Sequence, residues 1–347
     1  AQTMCVQVIF VPSAPQREIE LRLSAMPAPP AFPACTSASS QVLRVGVVGF
    51  GCFGQFLAGH LSRTNHVFVT SIDEQVCGMA AELSCTWVPW GRAVTEMLTI
   101  ARVDVLIIAT SIVSFASVVS ELPFDLLRSA QPLIVDVLSV KEYPRGVLLR
   151  EMPAQCDILC THPMFGPSSG RGSWEGLRFV FDEVRISNAG RARSFLSFFE
   201  LAGCAMVPMS CAQHDQQAAS TQFLTHLTGR VLAEQACEPT PIDTVGYQNL
   251  CAVKDNVCKD SFDLFYGLFK YNQCSLDQLR RFRDSLSAVE AQLMERMQKE
   301  SGERPRSRGA AGRPSAAHGR RRGARLVRRR SRDCKRASRR WQGALGA

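Results

Sequence analysis

The sequence predicts a doubly wound parallel α/β sheet followed by an all-helical region. Three observations predict it. Short apolar runs alternate with helix-periodic segments from Gln41 to about residue 190. The first of those runs opens through three spaced glycines into a helix. After Arg191 strand patterns nearly vanish and long helix-periodic segments take over. Strands that alternate with helices pair in parallel and are covered on both faces, so their runs are apolar throughout rather than alternating.

The elements follow in order. Val42-Leu43-Arg44-Val45-Gly46-Val47-Val48 reads as a buried strand. Cys52 to Arg63 reads as a helix, with Phe53, Phe56, Leu57, His60 and Leu61 at helical spacing. Further strands are expected at Val67 to Ile72, Val103 to Ala109, Pro132 to Val137 and Cys156 to Thr161. In the second half one more is expected near Ala205 to Pro208, among helices over Asp215 to Ala236, Thr244 to Tyr271 and Ser275 to Lys299. The expected organisation is a leader at 1–41, a sheet domain at 42–190, a helical domain at 191–298 and a tail at 299–347.

Length and charge narrow the classes. A chain of 347 residues with 46% hydrophobic content can bury two cores. No apolar run approaches the ~20 residues that span a bilayer. The formal charge of +9 belongs to the tail: from Lys299 onward stand 17 of the 40 basic and 3 of the 31 acidic residues, leaving 23 against 28 elsewhere. The globular part is therefore mildly acidic, and nucleic acid fails as the partner of the whole chain. The Arg/Gly/Ala/Ser tail cannot bury a core and is expected to be disordered. Arg320-Arg321-Arg322 and Arg328-Arg329-Arg330 in it either meet phosphates or are a solvated extension. The leader has no acid between Glu20 and Asp73 and is rich in Pro, Ala and Ser, which fits a transit peptide or an ordinary disordered leader. A transit peptide would mean a plastid; otherwise the chain is cytoplasmic. The 14 cysteines are scattered with no C-x-x-C pair; the closest spacing, Cys156 and Cys160, is poor for zinc, so no metal is expected.

Gly49-Phe50-Gly51-Cys52-Phe53-Gly54 is G-x-G-x-x-G between a buried strand and a helix, the context that gives the motif its meaning. The first glycine permits the tight turn, the second lets backbone approach a pyrophosphate, and the third lets helix pack on strand. This makes the sheet domain a Rossmann-like dinucleotide-binding one. Asp73, 19 residues after Gly54, stands where a carboxylate would bond the adenosine ribose, unless it merely starts the next turn. It favours NAD. Thr110 and Ser111, after the Val103 strand, complete the candidate cofactor set.

Two segments follow the next strands: Asp136-Val137-Leu138-Ser139-Val140-Lys141 and Thr161-His162-Pro163-Met164-Phe165-Gly166-Pro167-Ser168-Ser169-Gly170. Both sit at carboxyl ends of strands, where such sheets bind ligands. With His214-Asp215, Thr221-Gln222-Phe223-Leu224-Thr225-His226 and Asp260 to Phe269, they resemble the prephenate/arogenate dehydrogenase family, above all its plant and algal arogenate dehydrogenases. The resemblance runs from about Val42 to Gln298. It implies a dinucleotide-binding domain followed by a helical domain that dimerises, and oxidative decarboxylation of arogenate or prephenate to tyrosine or 4-hydroxyphenylpyruvate. His162 matches the family's catalytic histidine and Ser139 the serine beside it. Gln222, His226 and His214 are implied as substrate-binding. The plant enzymes often prefer NADP, so the resemblance leaves NAD and NADP both open.

Arogenate bears an ammonium where prephenate has a keto group, and selecting it calls for an acid near that ammonium. Asp215, Asp243 and Asp263 are the candidates. Asp215 either meets that ammonium or instead caps a helix; Asp243, with no evident structural partner, ranks first. Two other classes remain. A β-hydroxyacid dehydrogenase would use Lys254 or Lys259 but gives the T-H-P-M-F-G segment no role. A non-catalytic cofactor-binding protein would need the glycines but not Ser139 or His162.

Overall fold

The computed structural model describes residues 42–301. The expected leader and the tail beyond 301 lie outside them. Two compact units divide the chain, residues 1–288 and 289–347. In the second, the described residues are helical to Glu300, with Val289, Leu293, Met294 and Met297 exposed.

The first unit holds an eight-stranded sheet: β1 (Arg44–Val48), β2 (His66–Thr70), β3 (Thr86–Trp87), β4 (Val105–Ile108), β5 (Leu133–Asp136), β6 (Asp157–Pro163), β7 (Arg178–Arg185) and β8 (Ala205–Pro208). The spatial order is β3-β2-β1-β4-β5-β6-β7-β8. All neighbours are parallel except β6 and β7. The order reverses between β1 and β4, and such a switch point opens a crevice beyond the strand ends. The sheet runs on to Pro208, so its last strand lies beyond residue 190.

Alternation along the strands sends side chains to two separate cores. Val45, Val47, Val105, Ile107, Leu133 and Val135 face one side. Val48, Leu106, Ile108, Ile134, Ile158 and Cys160 face the other. Most of these residues are fully buried, which explains why the strands read as unbroken apolar runs. Two strands were not expected. β3 has only two residues, and β7 carries Asp182, Glu183 and charged ends that interrupt its apolar pattern.

The helical part begins with Cys211–Ala218, continues through a π turn at Ala219–Phe223, and runs on as Leu224–Glu234. Helices Val245–Cys258, Phe262–Tyr271 and Ser275–Glu300 follow. Phe223 anchors them, stacking on Phe265 at 5.8 Å and Phe269 at 6.0 Å between centroids. Helices Leu224–Glu234 and Val245–Cys258 meet at Gly229, where an added Cβ would collide with Val257. Among the described residues no helix is long and apolar enough to cross a membrane, and no group of three His, Cys, Asp or Glu could hold a metal ion.

Overpacking of this kind costs ~1–3 kcal/mol, against at most ~1 kcal/mol that alanine gains over glycine inside a helix. Gly229→Ala is expected to lower unfolding stability by ~1 kcal/mol or more, and Val257→Ala in the same chain to relieve part of it. Urea unfolding of the two single variants and the double variant measures the coupling; additive effects would mean the helices do not touch there.

Candidate active site

The cradle after β1 has the form its glycines predict. Gly49 sits at φ +105°, and a Cβ there would stand 2.6 Å from the Ala109 carbonyl oxygen. A Cβ on Gly54 would collide with the Gly49 carbonyl oxygen. At Gly51 there is open space instead, so backbone is left for a ligand to approach. Gly51 also caps helix Cys52–Leu61 without a side chain, leaving its first N–H groups for an anion. Phe50, expected among the cofactor residues, turns its ring into the core and offers the cradle backbone only. Cys52 is exposed, and Phe53 packs against Phe56 at 6.0 Å. Thr110 Oγ1 is buried without a partner and its backbone abuts Gly49. Ser111 shares its hydroxyl with Ser114 at 2.7 Å. Asp73 is exposed and its Oδ1 accepts from Gln75 N at 3.0 Å, while its other carboxylate oxygen has no partner among the described residues. The residues present fit a dinucleotide: free backbone at Gly51, an uncapped helix end, and an orphaned hydroxyl at Thr110.

Beyond β5 and β6 lies a set of buried polar groups. Ser139 follows β5, half-buried, with no hydrogen bond among the described residues. His162, near the end of β6, is 4% exposed, and its Nδ1 stands 2.8 Å from Nε2 of His214, 3% exposed. His214 Nδ1 stands 2.8 Å from Asp215 Oδ1. Asp215, 0% exposed, also accepts from the backbone N–H of Lys141 at 2.8 Å and of Glu142 at 3.0 Å. Those two N–H groups open helix Glu142–Glu151. Beneath them, the Lys141 ammonium donates to Asp136 and, at 2.6 Å, to the Thr161 carbonyl. Burial pushes the His162 imidazole well below the usual histidine range, and the neighbouring His214 and Lys141 push the same way. Both effects favour the neutral imidazole, and among the described residues no hydrogen bond uses its Nε2.

His214 was expected to bind substrate. Both its ring nitrogens are taken by His162 and Asp215, so it stands behind His162 instead. Asp215 was weighed as an acid for a substrate ammonium or as a cap for its own helix. It is fully enclosed and caps a helix more than seventy residues away in sequence.

Gln222, His226 and Arg230 stand at i, i+4 and i+8 along the helical stretch that starts in the π turn. Each has a buried polar atom without a partner: Gln222 Oε1, His226 Nδ1 and Arg230 Nε. Orphaned buried polar atoms are uncommon in folded proteins, and three along one helical stretch call for an explanation. Arg230 was missed, although its spacing of four from His226 signalled the shared face; its guanidinium also lies over Phe262 and Phe265. Asp243 was expected to lack a structural partner. Both its oxygens accept from Thr240, the shortest bond being 2.6 Å to the hydroxyl.

A family model described as TYRAAT1-like, C-terminal domain matches residues 231–304. Arogenate dehydrogenase 2, chloroplastic, of Arabidopsis thaliana is 44% identical over 262 residues, covering 74% of this chain and 72% of that protein. Arogenate dehydrogenase 1, chloroplastic, of the same plant is 44% identical over 259 residues; the match spans 74% of this chain but only 40% of that relative. Among solved structures, prephenate dehydrogenase from A. aeolicus in complex with hydroxyphenyl propionate and NAD+ superposes with a TM-score of 0.59 at 16% identity, over 76% of this chain and 94% of that one. Synechocystis arogenate dehydrogenase gives 0.52 at 18%, over 74% and 94%. The two structures speak for the fold. The identity to the Arabidopsis proteins goes further: this chain belongs to the arogenate dehydrogenase family of oxidoreductases.

Proposed function

We propose that the chain oxidises arogenate, and to a lesser degree prephenate, with loss of the ring carboxylate, giving tyrosine or 4-hydroxyphenylpyruvate. The observation that carries this reading is His162: a buried imidazole held towards its neutral form at a strand end, with Nε2 unused and Ser139 on the neighbouring strand end. A nicotinamide, when bound at the Gly49–Gly54 cradle, supplies the hydride acceptor. His162 accepts the hydrogen of the ring hydroxyl as that carbon becomes a carbonyl, and Ser139 orients the hydroxyl. Departure of carbon dioxide then aromatises the ring. Gln222, His226 and Arg230 offer their unpaired polar atoms to the substrate's carboxylates and side chain.

The domain reading belongs to the same proposal, with residues 42–190 holding the cofactor and 191–298 the substrate and a homodimer surface. Exposed Ile242, Val245, Phe262 and Leu286 in the helical part support the dimer. The chloroplastic relatives support a plastid location. Lys254, which a β-hydroxyacid mechanism would need, is held by the Cys237 carbonyl and by Glu238 at 3.0 Å.

Steady-state oxidation of arogenate and prephenate with NAD and with NADP tests the reading; a wild-type chain inactive on both substrates overturns it. His162→Ala is expected to lower kcat by ~10²–10⁴-fold with cofactor affinity kept; an unchanged kcat removes the imidazole from the chemistry.

Cofactor choice turns on Asp73, whose exposed carboxylate would bond ribose hydroxyls and repel a 2′-phosphate. NAD is expected to serve at least as well as NADP, and Asp73→Ser to move preference towards NADP. Strong wild-type preference for NADP would mean that Asp73 faces elsewhere.

For substrate choice, the Thr240 bonds to Asp243 remove the reason for ranking it first, so Asp243→Asn is expected to leave the arogenate-to-prephenate kcat/KM ratio within about threefold of wild type. Asparagine can still accept from Thr240, so the turn survives while the charge goes. An unchanged ratio assigns the ammonium to another group; a shift towards prephenate of about tenfold, ~1.4 kcal/mol, returns it to Asp243.

A further inference from the structure

We propose that His162, His214 and Asp215 form a two-imidazole relay, in which the substrate's hydroxyl proton enters at His162 while the positive charge comes to rest on His214 against Asp215. The inference rests on the reading of the chain as an arogenate-type dehydrogenase.

The hydrogen-bond inventory leaves one arrangement. Both Asp215 oxygens act as acceptors, from the Lys141 and Glu142 N–H groups at a helix N-terminus. The 2.8 Å contact to His214 Nδ1 must then be donated by the imidazole. In neutral His214 the other nitrogen, Nε2, carries a lone pair, so the proton in its 2.8 Å contact belongs to His162 Nδ1. His162 Nε2 is left with a lone pair, as an acceptor of the substrate hydroxyl requires.

The same geometry says where charge goes. Burial and the Lys141 cation make His162 a poor resting place for a proton. His214 has a carboxylate 2.8 Å from one nitrogen and His162 on the other. As hydride leaves the substrate carbon for the nicotinamide, the substrate O–H bond breaks and an N–H bond forms at His162 Nε2. The Nδ1–H bond of His162 breaks and an N–H bond forms at His214 Nε2. The C–O bond becomes C=O. When the ring carboxylate leaves as carbon dioxide, its bonding electron pair passes into the ring, and the carbonyl becomes a phenolate. The two protons then return by the same path, leaving a phenol and both imidazoles as they began. His162 is the catalytic residue; His214 and Asp215 are positioning residues.

Three variants of the full chain test the relay, assayed with arogenate at saturating cofactor. His214→Phe removes the second imidazole while Asp215 keeps its place on the helix. His214→Gln can accept from His162 and donate to Asp215, so it restores the tautomer but cannot take a proton. Asp215→Asn offers His214 a donor and favours the opposite tautomer. His214→Phe and Asp215→Asn are expected to lower kcat by ~10²–10⁴-fold, with His214→Gln recovering less than about tenfold of that loss, while KM for arogenate moves by less than about threefold. Wild-type kcat in His214→Phe, or near-wild-type kcat in His214→Gln, overturns the relay. So does a loss of kcat matched by an equal loss of cofactor affinity or by collapse of the melting transition in both His214 variants, since that is a structural role. A wild-type chain that fails to oxidise arogenate overturns the functional reading instead.

Discussion

A carboxylate cut off from water must be satisfied on every side, and Asp215 organises the molecule around that demand. Its two oxygens take the opening N–H groups of helix Glu142–Glu151 and the His214 imidazole. Its own carbonyl receives the Asn272 amide at 2.8 Å. One residue thus joins the segment after β5, the start of the helical part and the end of helix Phe262–Tyr271. Leaving a buried charge without these partners costs several kcal/mol, so the segments cannot drift apart independently. The His162 imidazole inherits its orientation from that junction.

A second buried charge stands nearby. The Lys141 ammonium is spent on Asp136 and the Thr161 carbonyl, with Thr161 Oγ1 bonding back to the Asp136 carbonyl at 2.7 Å. Desolvation works against the Asp136 carboxylate and raises its pKa, with Lys141 and the Leu138 N–H opposing. Buried pairs of this kind contribute little net stability, because desolvation offsets their attraction, but they tolerate few alternative arrangements. Here the pair ties the ends of β5 and β6 together, the two strands that deliver Ser139 and His162. Specificity of position is the return on placing ions where leucine would be more stabilising.

Much of this was legible in the sequence, for reasons that differ from residue to residue. The cradle could be read because each glycine answers a steric demand that no other residue meets, and because the strand before it is apolar at every buried position. His162 and Ser139 could be located by their places after strands. β7 could not: its apolar run is only Phe179 to Phe181 with charged residues on either side, and it turns antiparallel where the preceding strands are parallel. The contact between His162 and His214 spans 52 residues, and those of Asp215 span 73 and 74. No local pattern encodes such pairs. Gln222, His226 and Arg230 were half legible: their spacing was open to view, but the turn that aims them was not.

That π turn has a consequence for how the helix can change. Positions four apart drift around an α-helix by ~40° per step, since one turn takes 3.6 residues. Between His214 and Arg230 the drift would carry successive polar side chains off a common face. The wide turn at Ala219–Phe223 absorbs one extra residue and takes back one step of rotation. It works like a leap day, inserted once so that the count stays aligned with the season. Rewinding Ala219–Phe223 as regular α-helix with every residue kept would give a more ideal helix, yet would rotate everything after it by ~100°. Gln222, His226 and Arg230 would then point away from their present neighbours, and Phe223 would leave its stack on Phe265 and Phe269. The irregularity is thus the part of the helix least free to be tidied.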